Sequence, residues 1–247
     1  MMTPFLAEII GTALLILLGN GVVANVSLKK TYGENQSALV LITTAWGFAV
    51  FVGAYVTGQF SGAHLNPAVS IGLAIAGKFT WSLVPIYVVA QVIGAMLGTS
   101  LNYLLYIDHY RATDDEATIR GSFCTAPAIR NLKNNLFSET LGTFVLIFGI
   151  LFIVSPNIVI EGMETQNFGI GSLEALPVAL LVWVIGMSLG GTTGYAINPA
   201  RDFGPRLAYQ LLRGKKSKAD WAYSWVPIVG PIIGATLAAL LYTALIP

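Results

Sequence analysis

Long apolar stretches separated by short polar segments dominate the chain. No charged residue occurs in residues 37–77, 79–107 or 221–247. A bilayer core about 30 Å thick needs about 20 apolar residues per helix. The pattern therefore predicts a polytopic membrane protein whose spanning helices cover residues 4–25, 38–58, 82–106, 136–155, 175–192 and 225–245.

Two further apolar segments, residues 62–77 and 194–212, are too short to span a bilayer. Each contains Asn-Pro followed by a helix-compatible run. An Asn N-cap with Pro in the first turn is a helix-start signal. The segments are predicted to be half-helices that re-enter the membrane, where protein or a water-filled cavity satisfies their exposed backbone groups.

These segments belong to an internal repeat. The Glu-x-x-Gly-Thr sequence at residues 8–12 recurs at 139–143, and Asn-Pro-Ala at 66–68 recurs at 198–200. Each copy holds three spans and one half-helix, so the second copy must be inverted in the membrane. Interrupted apolar segments at matching places in inverted halves point to a permeation site near the midplane.

The repeat also defines the domain organisation. The halves cover about 1–107 and 136–247, and the charged loop 108–135 joins them. We therefore expect one all-α domain, residues 1–247, built from six transmembrane helices and two re-entrant half-helices.

Composition excludes several classes of function. Lys and Arg number 13 and Asp and Glu 12, so 10% of the 247 residues are charged, against roughly 25% in soluble domains. A net charge of +1 offers no footprint for nucleic acid. The single cysteine, Cys124, and the two histidines, His64 and His109, exclude a disulfide and a Cys- or His-rich metal site. No nucleophile or metal constellation typical of an enzyme is visible.

Residues 61–69 (SGAHLNPAV) and 194–205 (GYAINPARDFGP) resemble the two signature loops of the major intrinsic proteins, the aquaporins and glycerol facilitators. With the repeated Glu-x-x-Gly-Thr and the span order, the resemblance covers nearly the whole chain. Asp202 after Arg201 is similar to the aquaglyceroporin branch. The resemblance implies a homotetrameric channel of the plasma membrane, without a cofactor, that passes glycerol, water and similar small uncharged solutes and excludes protons and ions.

The resemblance also implies roles for individual residues. The selectivity filter falls on Trp46, Gly186, Tyr195 and Arg201. The pore centre falls on Asn66, Pro67, Ala68, Asn198, Pro199 and Ala200. Pore-facing carbonyls are expected from Gly62, Ala63, His64, Gly194, Tyr195 and Ala196. Glu8 and Glu139 are expected to accept hydrogen bonds from loop amides and to support the two loops.

Elementary electrostatics explains how such residues would act. Half-helices that meet tip to tip direct two positive ends, each about +0.5 charge, at the pore centre. The amides of Asn66 and Asn198 would donate to a passing oxygen and interrupt a wire of waters. Trp46 and Tyr195 would form an apolar wall opposite Arg201. Relative to the family, Tyr195 replaces the common Phe and would add a hydroxyl, while Gly186 would leave room for a carbon backbone.

Plainer interpretations exist for several of these residues. Arg201 is also compatible with a buried structural arginine, and Trp46 or Tyr195 with an interfacial aromatic. We expect His64 to be a packed histidine rather than a proton gate, and Cys124 to be inert. Asp202 is expected to cap or pair locally rather than to touch solute. The acidic residues of the connecting loop are expected to form a solvated face: Asp108, Asp114, Asp115 and Glu116.

Other functions and solutes stay open at the level of sequence. One alternative is an ion- or proton-coupled secondary transporter, for which only Glu8 and Glu139 offer intramembrane acids. Another is a closed-pore scaffold. Dihydroxyacetone, protonated lactic acid, hydrogen peroxide and urea have sizes that suit the same channel.

Orientation presents a conflict. With both termini in the cytoplasm, as in the family, only Lys78 of the 13 Lys and Arg lies inside, and loop 156–174 carries only the acids Glu161, Glu164 and Glu174. The positive-inside rule would favour the opposite orientation. We retain the family topology as the expectation because two mirrored signature loops are more specific than a charge bias.

Overall fold

The computed structural model describes residues 2–34, 38–154, 157–158, 166–167, 171–214 and 217–246. Within these ranges the helices are α1 Pro4–Ser27, α2 Ala38–Ser61, α3 Pro67–Ile75, α4 Val84–Leu105, α5 Ile107–Ala112, α6 Glu116–Gly121, α7 Leu132–Leu151, α8 Leu176–Leu189, α9 Pro199–Arg213, α10 Trp221–Ser224 and α11 Val226–Leu245. Short 3-10 turns at Trp81–Leu83 and Gly171–Ala175 precede α4 and α8. The predicted all-helical membrane architecture is confirmed.

The six predicted spans correspond to α1, α2, α4, α7, α8 and α11. Five of them, with the turns that precede α4 and α11, are long and apolar enough to cross a membrane. The exception is α8, which has 14 residues and is about 21 Å long. It ends three residues before the predicted boundary, because Gly190 caps it and the chain then turns toward the second half-helix.

The predicted start of α7 was wrong by four residues. The helix begins at Leu132 because Asn131 is its N-cap, and the Asn131 side chain accepts a hydrogen bond from the amide of Asn134 at 3.2 Å. The polar first turn hid this boundary, since the apolar pattern begins only at Leu136. Ser155, at the other end of the predicted span, lies outside the described residues.

The two half-helices start where the Asn-Pro pairs predict. Asn66 and Asn198 have extended backbone conformations, and their side chains accept from Ala68 N at 2.9 Å and Ala200 N at 3.0 Å. Pro lies at the first helical position of both helices, where its missing N–H is not needed. The first half-helix, at nine residues, is shorter than the 62–77 segment, because residues 62–65 form an irregular loop instead.

Helix packing repeats between the two halves. α1 packs against α2 and α4, and the corresponding α7 packs against α8 and α11. α3 packs against α11, and its counterpart α9 packs against α4. The half-helices thus insert into the opposite half, and α2 contacts α8 where the halves meet.

Small residues allow these helices to approach closely. A Cβ on Gly98 would lie 2.3 Å from the carbonyl oxygen of Ala13, and one on Gly234 would lie 2.2 Å from that of Thr140. Each distance is far below a normal contact, so only glycine fits where α4 meets α1 and where α11 meets α7. This is the small-residue packing that membrane helices use in place of a hydrophobic driving force.

The connecting segment is folded rather than an open loop. α5 and α6 lie within it, and Tyr110, Ile119 and Phe123 join a buried cluster with Tyr209 of α9. Expecting Glu116 to be fully solvated was wrong: it accepts a hydrogen bond from Tyr209 and pairs with Arg213 at 2.8 Å. Glu116 therefore ties the segment to the second half-helix.

The other acids of this segment are exposed, as predicted. Asp108 pairs with Arg111 at 3.1 Å and Asp114 with Lys29 at 3.5 Å, with all four side chains largely in solvent. Asp115 caps α6 by accepting from Thr118 N at 2.9 Å. Surface pairs of this kind contribute little to stability.

A two-residue antiparallel pair, Asn157–Ile158 with Gln166–Asn167, lies in the segment between α7 and α8. The sequence did not predict it, because neither dipeptide carries a strand pattern long enough to register. Glu161 and Glu164, the predicted acids of this segment, lie outside the described residues.

Several basic residues lie together at one end of the helix bundle. Lys29, Arg120 and Arg130 bond to Asp114, to the carbonyl of Lys218 and to Asp220, which brings segments 28–34, 106–131 and 217–220 together. Lys78 lies apart from them, with its amine over the ring of Tyr242 near the C-terminus of α11. The uneven distribution of basic residues therefore holds in three dimensions.

Candidate functional site

A cavity of about 580 Å³ lies between the two halves. It extends along α2 from Trp46 to Gln59, a rise of about 20 Å. The half-helix tips contribute Asn66 and Asn198 to its wall. We call its end at Trp46 the constriction and the opposite end, at Gln59 and Glu174, the Glu174 mouth.

The constriction brings together three of the four predicted filter residues. Trp46, Tyr195 and Arg201 all line the cavity, although each is no more than 9% exposed. The guanidinium carbon of Arg201 lies 4.0 Å from the centre of the Trp46 ring, within cation–π range. No side-chain hydrogen bond joins Arg201 to another described residue, and its Nη1 is buried without a partner among them. The donors of Arg201 are thus left for a ligand.

The fourth predicted filter residue, Gly186, does not line the cavity. A Cβ added there would lie 2.8 Å from Cζ of Tyr195 and 2.9 Å from the methyl of Thr43. The space beside Gly186 is therefore filled by the Tyr195 ring, so any room that Gly186 gives to solute is given through the position of that ring. Gly190 leaves room for the same ring, since a Cβ added there would lie 2.5 Å from Cδ1 of Tyr195.

The Tyr195 hydroxyl is buried and has no hydrogen-bond partner among the described residues. The sequence suggested that this group adds a polar atom to the filter. In the structure the ring lies against α8 and Thr43, and the buried hydroxyl is not freely exposed in the cavity.

The two asparagines connect the halves. Asn66 Nδ2 donates to the carbonyl of Ile197 at 2.9 Å, and Asn198 Nδ2 donates to the carbonyl of Leu65 at 2.8 Å. Since an amide nitrogen carries two hydrogens, each side chain retains one N–H for a ligand. Their Oδ1 atoms are occupied as caps of α3 and α9, so neither side chain is free to turn over.

Both loops before the half-helices adopt left-handed backbone. Positive φ values occur at Gly62, Ala63 and Leu65, and in the second copy at Gly194, Tyr195 and Ile197. Such conformations are unfavourable for residues with a Cβ and persist only where the surroundings impose them. The repetition of the same pattern indicates that the two loops have one shared geometry.

Two buried carboxylates hold these loops. Glu8 accepts from the amides of His64 at 2.9 Å and Leu65 at 2.8 Å. Glu139 accepts from the amides of Ala196 at 3.0 Å and Ile197 at 2.8 Å. An intramembrane carboxylate is stable only when paired in this way, and here both of its oxygens are used by the backbone.

Five of the six residues predicted to offer carbonyls line the cavity; Gly194 does not. Its amide donates to the carbonyl of Gly190 at 2.9 Å, and its Cα faces Thr125. Gly194 therefore lies beyond the cavity at the constriction. Pro67, Ala68, Pro199 and Ala200 also lie outside the lining; they are buried in the first turns of the half-helices.

Asp202 pairs locally and does not line the cavity. Its Oδ1 accepts from Arg206 Nε at 2.8 Å, and its Oδ2 accepts from the amide of Thr125 at 2.8 Å. Arg206 also donates to the carbonyls of Thr125 and Ala219. This fully buried ion pair joins α9 to the segments that contain Thr125 and Ala219.

Two buried polar residues near the site, Arg206 and Gln91, were not predicted from the sequence. Arg206 lies in the apolar second half-helix, and Gln91 lies in the charge-free α4, where its Nε2 donates to Glu8 at 2.8 Å. A polar side chain inside a segment read as a membrane span was the available signal, because such groups need a partner there.

Cys124 is 1% exposed, and burial raises the pKa of its thiol to about 12, which agrees with an inert cysteine. Among the described residues no group of three or more His, Cys, Asp or Glu side chains forms a metal site.

Comparison with known proteins identifies the family. A family model described as "Major intrinsic protein" matches residues 1–242. The "Probable glycerol uptake facilitator protein" of Thermotoga maritima is 53% identical over 243 residues, covering 98% of both chains. The "D/L-lactic acid transporter" of Lactiplantibacillus plantarum is 41% identical, covering 97% of this chain and 96% of the relative.

A solved structure is also similar. The structure described as "X-ray structure of the aquaglyceroporin from Plasmodium falciparum" superposes with a TM-score of 0.81 at 35% identity, covering 96% of this chain and 93% of that one. Fold, mirrored loops and relatives agree, and the chain belongs to the major intrinsic protein family of membrane channels.

Proposed function

We propose that this protein is a passive channel for glycerol, water and similar small uncharged solutes. The observation that carries the proposal is the constriction: Arg201 offers donors that have no partner among the described residues, while the rings of Trp46 and Tyr195 form an apolar wall. The glycerol facilitator relative, at 53% identity, supports the same solute class.

An amphipathic slot suits a polyol. Glycerol has hydroxyl groups along one side and C–H groups along the other, so its oxygens can accept from Arg201 while its carbons contact Trp46 and Tyr195. Each donor replaces part of the hydration shell that the solute loses on entry. Conduction requires that this binding stay weak at every position.

Proton exclusion arises at the pore centre. Asn66 and Asn198 both line the cavity and each keeps one N–H, and a water oxygen that accepts from both of them cannot relay a proton onward. The N-termini of α3 and α9 add partial positive charge at the same place, which disfavours hydronium and metal cations. Arg201 adds a full positive charge at the constriction.

Along the rest of the pore, acceptors are proposed to come from the backbone of residues 62–64 and 194–196. Glu8 and Glu139 bind amides of these loops, which leaves carbonyls available to solute. Left-handed backbone at residues 62, 63 and 65 and at 194, 195 and 197 interrupts helical hydrogen bonding, so carbonyls of these loops are free of helical partners.

Further solutes follow from the same slot. Dihydroxyacetone and protonated lactic acid have three carbons and oxygen on one side, and urea and hydrogen peroxide are smaller. The lactic acid transporter among the relatives favours inclusion of the neutral acid. The solute range is decided by flux across this panel in one preparation.

We further propose one channel domain per chain, a homotetramer in the plasma membrane, and cytoplasmic termini. Many large apolar side chains are exposed on the described helices, as lipid and neighbouring subunits require. Orientation is testable with Lys78→Cys and Lys218→Cys, since both positions are exposed at opposite ends and Cys124 is buried. Labelling of Lys78→Cys from outside intact cells would overturn the proposed topology.

A coupled transporter is the alternative. It would need an acid that is free to bind the coupling ion in the pathway. Glu8 and Glu139 are engaged with loop amides, and Asp202 is engaged with Arg206, which favours a passive channel.

The proposal is tested by osmotic stopped-flow on proteoliposomes. Wild-type protein should raise glycerol permeability above that of protein-free vesicles. Trp46→Ala should widen the slot and raise the permeability ratio of five-carbon polyols to glycerol. The control is Trp81→Ala, because Trp81 is 55% exposed and lies away from the cavity. Wild-type permeability equal to that of empty vesicles would contradict the proposed function.

A further inference from the structure

The ring of His64 lies in the cavity wall on the Glu174 side of the two asparagines. The residue is 9% exposed, and its ring packs edge-on against Phe79, with ring centres 4.4 Å apart, and at a tilt against Tyr87, with ring centres 4.9 Å apart. Its Nδ1 lies 2.9 Å from Oγ of Ser70. The aromatic packing fixes the ring plane, so the remaining question is which ring nitrogen carries the proton.

The neighbouring hydrogen bonds answer that question, starting from Glu8. Each group that contacts the Glu8 carboxylate is a donor: Ser61, Gln91 and two backbone amides. Gln91 therefore must present its NH₂ group, not its carbonyl, to Glu8 at 2.8 Å. The same nitrogen lies 3.2 Å from Ser70 Oγ, so its second hydrogen is donated to that oxygen.

Ser70 then has one hydrogen of its own to donate. The two candidates are His64 Nδ1 at 2.9 Å and the carbonyl of Asn66 at 3.4 Å. That carbonyl already accepts from the amide of Ser70 at 3.1 Å. The contact to Nδ1 is the shorter of the two and therefore favours Nδ1 as the acceptor, which places the proton of the neutral imidazole on Nε2.

Nε2 has no hydrogen-bond partner among the described residues and is not among their buried unpartnered atoms. It lies beside Gly62, where a Cβ would stand 3.8 Å from it, and Gly62 lines the same cavity. A polar N–H in such a place is ordinarily satisfied by water or ligand.

We propose that His64 is a solute-contacting residue whose Nε2–H donates to hydroxyl or carbonyl oxygens in the half of the pore on the Glu174 side, and that the Glu8–Gln91–Ser70 relay fixes this tautomer. The inference rests on the proposed channel function and adds a donor where the family resemblance implies backbone carbonyls alone. This part of the pore would then offer the Nε2–H donor of His64 beside backbone carbonyl acceptors. A polyol hydroxyl can use both, because it donates one hydrogen bond and accepts others.

The tautomer is tested directly by nitrogen NMR on histidine-labelled protein in detergent or bilayers. The chain has two histidines, so His109→Gln leaves His64 as the single signal. We expect an unprotonated Nδ1 and a protonated Nε2. Ser70→Ala should shift the population toward the other tautomer, whereas Ser100→Ala, which removes a hydroxyl bonded only within α4, should not. A protonated Nδ1 in the parent protein would overturn the relay.

Solute contact is tested by flux. His64→Phe keeps an aromatic ring against Phe79 and Tyr87 but removes the donor. Loss of one hydrogen bond corresponds to about fivefold, so glycerol permeability should fall by about that factor relative to water permeability. Ser70→Ala, which keeps the imidazole, should lower the same ratio by less. An unchanged ratio in both variants, in a preparation whose parent conducts glycerol, would overturn the proposal while leaving the channel function intact.

Discussion

The guanidinium of Arg201 stacks over the indole of Trp46, with 4.0 Å between the guanidinium carbon and the ring centre. The contact joins the second half-helix to α2, so the charged group of Arg201 at the constriction is held by an aromatic ring rather than by a carboxylate. A carboxylate partner would neutralise Arg201 and occupy its donors. Because Arg201 stacks on Trp46 instead, both its charge and its N–H groups stay available to solute in the pore.

Replacing Arg201 with Val should therefore weaken charge exclusion. The variant loses the permanent positive charge and five donors, and we expect measurable proton or cation leak under an imposed membrane potential while glycerol flux persists. The measurement is the rate of pH change of a dye trapped in proteoliposomes. A leak no greater than that of the wild type would remove Arg201 from its assigned role.

The packing of the Tyr195 ring against Gly186 leads to a prediction about which solute sizes the constriction passes. Gly186→Ala places a methyl 2.8 Å from Cζ of Tyr195, so the ring must move toward the cavity. We expect glycerol permeability to fall several-fold relative to water permeability in stopped-flow assays. Gly191→Ala is the control, since a Cβ there meets nothing within 4 Å. An equal ratio in both variants would mean that the ring does not set the width.

The carboxylate that supports the second loop yields a stability prediction. Glu139 accepts from Ala196 N and Ile197 N through its two oxygens. Glu139→Gln replaces one of these oxygens with an NH₂ group, so one of the two buried backbone N–H groups faces another donor and loses its acceptor. The cost is about 2 kcal/mol, or roughly 4–8 °C in Tm for a chain of this size. Thermal unfolding in detergent measures it. Glu174→Gln, at an exposed carboxylate, should leave Tm unchanged; a Glu139→Gln variant that does the same would count against the support role.

The outer loops contain a pH-sensitive contact. Arg130 binds Asp220 through two bonds, at 2.7 and 3.0 Å, and this pairing holds the pKa of Asp220 below its ordinary value. The stabilisation is complete above the unfolded pKa of about 3.9 and is lost as pH falls through the lower folded value. Hydrogen exchange of residues 217–220 should therefore stay constant from neutral pH down to about pH 4 and accelerate below it, after correction for intrinsic rates. Asp220→Asn should exchange rapidly throughout; a steep change near pH 6 would contradict this assignment.

The elements that the sequence predicted well are those whose determinants are local. Asn66 and Asn198 cap half-helices because cap, proline and apolar run lie within a few residues of one another. The two loops, 132 positions apart, could be recognised as equivalent for the same reason, because each copy of the repeat contains its own Asn-Pro-Ala sequence and apolar run.

The elements that were missed depend on contacts distant in sequence. Glu116 lies in a charged loop, yet it is fixed by Tyr209 and Arg213, which belong to a helix more than 90 residues away. Gly186 sits at a filter position by spacing, but the ring of Tyr195 takes its space. Spacing along a chain locates a position; it does not show which neighbour fills the volume beside it.

The central claim is passive passage of glycerol without passage of protons. The most direct measurement follows glycerol equilibration and internal pH together, in proteoliposomes under an imposed potential and without any sodium or proton gradient. A passive channel should give rapid glycerol equilibration with no change of internal pH beyond that of empty vesicles. Glycerol entry that requires a gradient, or that brings protons with it, would contradict the channel and favour a coupled transporter.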